Sequence, residues 1–494
     1  MSPKYSYTEN EGKQFASSGD VLVDFFRSAA AMRTQVLEKR DNLGKLFLDA
    51  YTQDREVATK LVFWLRDPRR GAGEKAAARK LLVLLQEANP KFLVDNLDNV
   101  VKYGYWKDIL KVANKNKGVI KHWAKKIKSG DRLASKWAPR MHSKYHDVAC
   151  KLRDEMKLTN KEYRSLIKKN TETVEQKMTS QEWDEIIYES VPSIAMKKYF
   201  KIFKKHDEER FDAWINNKET KANASVLYPH EVLILAMEHG DIDKKMADKL
   251  WANLPNFIKE GERFLPIIDV SGSMCSPAGG SKKVQCIHVA IALGMYLAER
   301  NESIFKDHFI TFSRNPQLVK ITGDTLSEKY HNMDQAQWDM NTDFEKAYRL
   351  ILNLGIKHKI PQSYMPTMLI ILSDMQFDSC TNGDVAMINL KKEYTAAGYT
   401  IPKLIFWNLD DHGNGSPAQS KNTNVGLVSG FSPSLMEAIL ECKTFKPIDL
   451  VMKTVEKYDD INMKHLPTVE DIEKAQDKIN DLIGKNKYDF TKYL

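Results

Sequence analysis

The spacing of apolar residues changes period near Pro255, and that change constrains the fold of this chain more than any other feature. Before it, apolar positions recur three and four residues apart, as in Leu81, Leu82, Leu84 and Leu85. Stretches 20–33, 42–51, 55–65, 73–88, 90–102, 106–115 and 119–128 read as helices. Short breaks at Asp67-Pro68, Asn89-Pro90, Gly104 and Gly130 separate several of them. A further helical block spans 145–251, and strand-type alternation is almost absent. Paired helices with short turns predict a HEAT-like solenoid, although the letters carry no clean repeat.

After Pro255 short apolar runs alternate with amphipathic stretches. Strands are expected at 264–270, 307–312, 367–372 and 403–407, with helices at 283–300, 343–354 and 384–397 between them. Continuous apolar strands of this kind belong to a parallel sheet covered on both faces. Stretches 432–440 and 447–457 close the domain, and 470–483 reads as one more amphipathic helix. At 494 residues the chain exceeds one hydrophobic core. The expected organisation is an N-terminal tail (1–17), an all-α HEAT-like domain (18–256), a Rossmann-like, doubly wound α/β domain (260–460) and a helical extension (461–494).

No apolar run approaches the roughly 18 residues that a membrane-spanning helix needs. The start, MSPKYSYTENEGKQ, lacks the apolar core of a signal peptide. Cys150, Cys275, Cys286, Cys380 and Cys442 show neither metal-ligand nor disulfide-framework spacing. These features predict an intracellular, cytoplasmic protein with no membrane partner. The net charge of +9 is unevenly placed. Residues 1–260 hold 49 Lys/Arg against 37 Asp/Glu, whereas residues 261–494 hold 26 against 29. Residues 101–150 alone hold thirteen against three, a field that would draw a polyanion.

In an open α/β sheet, ligands bind beyond the carboxyl ends of the strands. Asp269-Val-Ser-Gly-Ser273 stands at that place after the first strand. One carboxylate and two hydroxyls, Ser271 and Ser273, supply oxygens suited to a hard cation, Mg²⁺ or Mn²⁺. Gly272 is expected to let the loop bend so that both hydroxyls face inward. Thr342 precedes a helix about 70 residues on, and Asp374 closes a strand about 30 residues later. Five oxygen donors in this order match the metal-ion-dependent adhesion site of a von Willebrand A domain, which the α/β half resembles. Asn341 stands where many such domains have glycine. The alternative is that Asp269 and Ser271 only cap a helix. Few acidic ligands leave such a cation open to a carboxylate from a protein partner. No general base is positioned beside it, so the site reads as non-enzymatic.

In the helical half, Lys121, Lys125 and Lys128 share one helix face, and Arg132, Lys136, Arg140 and Lys144 continue the charge. Tyr103, Tyr105, Trp106 and Trp123 are interleaved with them. Lysines neutralise phosphates and aromatics stack on unpaired bases, so RNA, single-stranded or small and structured, is the expected ligand. A solvated lysine face with its aromatics in the core remains the other reading. Arg70-Gly-Ala-Gly-Glu-Lys75 looks like a phosphate loop but lacks its Gly-Lys-Ser/Thr ending and preceding strand, so it reads as a helix start.

Several motifs carry a wider resemblance. They include Phe63-Trp-Leu-Arg-Asp-Pro-Arg-Arg-Gly-Ala-Gly-Glu74, Tyr103-Gly-Tyr-Trp-Lys-Asp108, Lys136-Trp-Ala-Pro139, Lys161-Glu-Tyr-Arg164 and Val174-Glu-Gln-Lys-Met178. Val191-Pro-Ser193, Tyr228-Pro-His-Glu231 and Ser429-Gly-Phe-Ser432 complete the set. A helical half followed by an adhesion-site domain resembles the TROVE class, the Ro ribonucleoprotein type. The motifs themselves are more similar to an uncharacterised sister family of large DNA viruses, plants, fungi and phages. The TROVE resemblance implies a HEAT-like ring that holds single-stranded RNA ends, with structured RNA on a basic outer surface. The expectation is a non-enzymatic RNA-binding component of a ribonucleoprotein or an RNA quality-control scaffold. Two alternatives stay open: a protein-interaction scaffold without RNA, and a metal-dependent nuclease or phosphatase.

Overall fold

The computed structural model describes residues 5–7, 13–37, 42–278, 284–312, 315–334, 344–375, 383–410, 415–442 and 445–484. The chain forms a helical N-terminal half followed by a C-terminal α/β region built on a six-stranded mixed sheet. It divides into two compact units that do not follow sequence order. One gathers Met1–Gln53, Arg70–Ala72 and Ala224–Lys457, and the other Asp54–Arg69, Gly73–Asn223 and Tyr458–Leu494.

In the first unit a short antiparallel pair, β1 (Tyr5–Tyr7) and β2 (Lys13–Phe15), precedes the main sheet. The sheet strands are β3 (Phe264–Asp269), β4 (His308–Phe312), β5 (Leu318–Lys320), β6 (Met368–Ser373), β7 (Lys403–Asn408) and β8 (Val425–Ser429). Their order is β5-β4-β3-β6-β7-β8; β5 runs antiparallel to β4 and every other pairing is parallel. The chain therefore leaves β3 in one direction for β4 and returns to its other side for β6. That reversal of strand order makes the crevice between β3 and β6 a topological switch point.

Every residue of β3, β6 and β8 is buried, as are all of β7 but Lys403. Side chains of both parities are thus covered, and both sheet faces lie against other elements. The helix Cys286–Arg300 packs so closely on β3 that a Cβ at Gly294 would lie 2.3 Å from Ile268 Cδ1. The helix Val21–Ala29 belongs to this unit. Asp20 caps it through Leu22 and Val23 N–H groups, and Ser429 Oγ donates to the Phe26 carbonyl at 3.0 Å. β5 and β8 were not expected from the sequence. β5 is three residues of edge strand, and β8 carries Gly426, where a Cβ would meet Ile405 and Leu450.

The second unit is helical from Arg55–Arg66 to Glu208–Asn216, with Val469–Gly484 added from the far end of the chain. Its interior holds a buried ion cluster. The Asp108 carboxylate accepts from Arg66 Nε at 2.7 Å and Arg79 Nε at 2.6 Å, and from the Tyr105 backbone N–H at 2.9 Å. Arg66 also lies over the Tyr105 ring, 4.9 Å from its centroid. Gly104 has a local reason: a Cβ there would lie 2.5 Å from Asp108 Oδ2 and 2.7 Å from the Val100 carbonyl.

The stretch expected as one helix over 90–102 is two, Pro90–Asp95 and Leu97–Lys102, with Asn96 at the break. Asn96 turns its amide outward from the ladder: Nδ2 donates to the Phe92 and Asn462 carbonyls, and Oδ1 accepts from Asn462 N–H. Asp460 extends the same clasp, accepting from Lys102 Nζ and Tyr103 Oη. The Arg70–Lys75 stretch leads into the helix Lys75–Ala88, and Glu74 N–H is taken by the Leu65 carbonyl at 2.7 Å. Glu74 is itself buried, unlike a phosphate cradle.

The Asp108 cluster sets an expectation. Asp108→Ala removes the carboxylate that two buried guanidinium groups share and should cost about 3–5 kcal/mol of stability, read from the urea midpoint. An unchanged midpoint would show that the cluster carries no weight.

Candidate functional site

β3 ends at Asp269 because the chain there leaves its two parallel neighbours, and the next residues turn in a short 3₁₀ segment, Gly272–Cys275. Asp269 is wholly buried. Its Oδ1 accepts from Ser271 N–H at 2.9 Å, and its Oδ2 accepts from Ser373 Oγ at 2.5 Å. The hydroxyls of Ser271 and Ser273 lie 3.1 Å apart. Across the switch point β6 ends at Ser373, and Asp374 follows, 1% exposed. Met375 then takes φ of 64°, a left-handed conformation that costs a residue with a Cβ energy, and its N–H bonds to Ser373 Oγ. Burial, and next the Asp374 charge, push the Asp269 carboxyl up to about 6.

The structure thus brings Asp269, Ser271, Ser273 and Asp374 to the carboxyl ends of adjacent strands. Ser373 was not expected and completes the cradle by holding Asp269. Its only sequence signal is its place before Asp374. Thr342, with Asn341, lies outside the described residues. Gly272 behaves differently from expectation. Its φ lies outside the left-handed region and a Cβ there would meet nothing within 4 Å, so the turn does not demand glycine.

Burial and the neighbouring Asp374 charge disfavour ionisation of Asp269, and an oxygen-only set of acids and hydroxyls suits a hard cation. The residues present therefore fit a divalent ion. Among the described residues no group of three or more His, Cys, Asp or Glu could hold a metal, so hydroxyl donors are essential to any such site. A third buried carboxylate, Asp410, follows β7. Burial, then Asp410 and more weakly Asp374, push the Cys286 thiol up to about 12. His288 supports the same loop: its Nδ1 accepts from Gln285 N–H at the start of the helix Cys286–Arg300.

The basic residues lie in the helical unit. Lys121, Lys125 and Lys128 are exposed on one face of the helix Lys117–Lys128, opposite the buried Ile120, Trp123 and Ile127. Among the described residues none of the three forms an ion pair, whereas neighbouring Lys126 meets Asp98 at 2.9 Å. Arg132, Arg140 and Lys144 are exposed as well, and Lys136 is half-buried. Arg132 donates to the Glu172 carbonyl, and Lys144 lies 5.1 Å from the centre of the Tyr145 ring. Three of the interleaved aromatics go inward. Trp106 and Trp123 stack at 5.4 Å and are 2% and 0% exposed, and Tyr103 is 7% exposed, so none can receive a base.

Alkylation tests the packing beside the acidic loop. At mildly alkaline pH, iodoacetamide should label exposed Cys275 rapidly and buried Cys286 slowly, because the thiolate is the reactive form. Peptide mapping that finds equal rates would contradict the arrangement.

Comparison with known proteins adds no activity. The model of a domain of unknown function, DUF2828, matches residues 8–127 and 131–260, and that of a second, DUF7788, matches residues 264–482. The two matches meet where β3 begins. An uncharacterised protein of Acanthamoeba polyphaga mimivirus is 27% identical over 514 residues, covering 92% of this chain and 87% of its own.

Proposed function

We propose, for a chain that belongs to the DUF2828 family, a non-enzymatic RNA-binding role in which the helical half holds RNA and the α/β half recruits a protein through a divalent cation. The observation that carries it is the face of Lys121, Lys125 and Lys128, exposed and without carboxylate partners among the described residues. Three unneutralised ammonium groups on one helix face are a binding surface for phosphates, and Arg132, Arg140 and Lys144 widen it. The sequence likeness to TROVE proteins supports RNA, single-stranded or small and structured, as the polyanion. A HEAT-like arrangement of the helices belongs to the same reading, as does an intracellular, cytoplasmic setting.

The α/β half is read as a von Willebrand A domain. Support comes from the strand order, the antiparallel β5 beside β4, and the position of Asp269, Ser271, Ser273 and Asp374 at the switch point. These four, with Thr342 as the expected fifth donor, would hold Mg²⁺ or Mn²⁺. The bound ion would supply an open position for a partner's carboxylate. Asp269 orients its oxygens through Ser373 and the Ser271 N–H, which makes it the residue on which the set depends.

Salt titration of RNA binding tests the first half of the proposal. Affinity should fall steeply with salt, and the Lys121→Ala/Lys125→Ala/Lys128→Ala protein should lower the slope of log affinity against log salt by about 2. Absence of binding at low salt overturns it and leaves the protein-interaction scaffold, which the metal site alone would serve.

Manganese electron paramagnetic resonance tests the second half. The intact chain should bind Mn²⁺ and Asp269→Ala should not, while the salt slope for RNA stays the same. Equal Mn²⁺ binding by both proteins removes the site.

A further inference from the structure

On the helix His146–Met156 the side chains of His146 and Cys150, four residues apart, lie on one face. Cys150 Sγ is 3.3 Å from His146 Nε2, and His146 Nδ1 is 2.6 Å from the Met141 carbonyl oxygen. A carbonyl oxygen can only accept, so Nδ1 carries the proton of the neutral ring. Nε2 is then a lone pair, and the thiol donates to it. A nucleophile bonded to a base, with the base oriented by a third group, is the arrangement that activates a thiol. His146 is exposed and Cys150 half-buried, so a small molecule can reach the sulfur from solvent. Neither residue takes part in the sites described above.

The charges around the pair select the reagent. Arg140 and Cys150 both lie within electrostatic reach of the buried Tyr163 hydroxyl, and Arg140 is exposed. On the helix itself Arg153 meets Asp154 at 2.7 Å, so these two offset each other. Arg140, Lys144 and Lys151 then stand against Asp147 and Glu155, all of them exposed. The helix also packs on Lys117–Lys128, whose exposed Lys121, Lys125 and Lys128 add to the positive side. The resulting field attracts an anion more than a cation.

We infer that Cys150 is a thiol–disulfide exchange site, with His146 as its base, for a small disulfide that carries carboxylates. As Sγ attacks one sulfur of the disulfide, its proton passes to His146 Nε2. The S–S bond breaks, its electron pair leaves with the other sulfur, and that thiolate takes the proton from the imidazolium. Cys150 is oxidised to a mixed disulfide and one half of the reagent is reduced to a free thiol, so nothing else is consumed. Cys275 provides the contrast. It is more exposed than Cys150 but has no hydrogen-bonded imidazole among the described residues.

The test uses the full chain and oxidised glutathione, with the mixed disulfides followed in time by peptide mass mapping. At neutral pH an unassisted thiol is only slightly ionised, so Cys150 should react about tenfold faster than Cys275, although Cys275 is the more exposed. His146→Gln should bring Cys150 down to the Cys275 rate. At a pH that ionises every thiol, the intact chain and His146→Gln should react at Cys150 equally fast. Cystamine, a cationic disulfide, should modify Cys150 more slowly than oxidised glutathione at low salt, and Arg140→Ala should narrow that difference. Modification of Cys275 first, or a Cys150 rate that His146→Gln leaves unchanged at neutral pH, overturns the site. Slowing of the variant at both pH values shows altered access and overturns the role of His146 as base. Cystamine reacting as fast as oxidised glutathione overturns the choice of a carboxylate-bearing disulfide.

Discussion

A fully buried strand cannot end inside its core without giving its terminal polar groups partners, and the α/β unit is organised around that constraint at β3. All six of its residues are buried, both neighbours run parallel to it, and its carboxyl end falls where the strand order reverses. The loops diverge there, so polar side chains can gather without displacing apolar ones. Asp269 occupies the gap and is held from both sides, by Ser271 N–H and by Ser373 Oγ. The price is two carboxylates, Asp269 and Asp374, kept out of water side by side. Burial and the Asp374 charge together hold the Asp269 carboxyl above its ordinary range.

The helical unit answers a similar problem with internal ions. Asp108 collects two arginines and the backbone N–H of Tyr105, tying together Arg55–Arg66, Lys75–Ala88 and Trp106–Ala113. Replacing such a cluster with apolar groups is often neutral, whereas removing one partner is severe. The clasp at Asn96 works differently. The Asn96 side chain makes two reciprocal hydrogen bonds with the Asn462 backbone, so a segment distant in sequence becomes part of this unit.

What the sequence disclosed follows from this physics. Asp269, Ser271, Ser273 and Asp374 were legible because strand ends are marked by a switch from apolar to small polar residues, and the structure brings these four together. Helices and strands with strong periodicity were legible to within a few residues. The break at Asn96 was not, because its cause lies more than three hundred residues away. Nor was β5, whose three residues carry too little pattern, nor the membership of Val21–Ala29 in the sheet's unit, which depends on tertiary packing against β8. Ser373 escaped notice because a serine in a buried strand has no motif of its own.

The basic segment shows why charge is easier to read than stacking. A lysine at every third or fourth position must face solvent, so Lys121, Lys125 and Lys128 could be placed from spacing alone. An aromatic ring can face either way, and burial free energy pulls Trp106 and Trp123 into the core unless something prevents it. At Trp183 the neighbours are too polar to cover the ring: Glu182, Asp184 and Glu185 are all exposed. The ring finds a partner in His206 instead and keeps one face near solvent. The residues at the ends of β3 and β6 and the basic residues belong to different compact units. Substitutions at Asp269 and at Lys121 thus act on separate sets of packed residues, and sites without shared partners have additive effects.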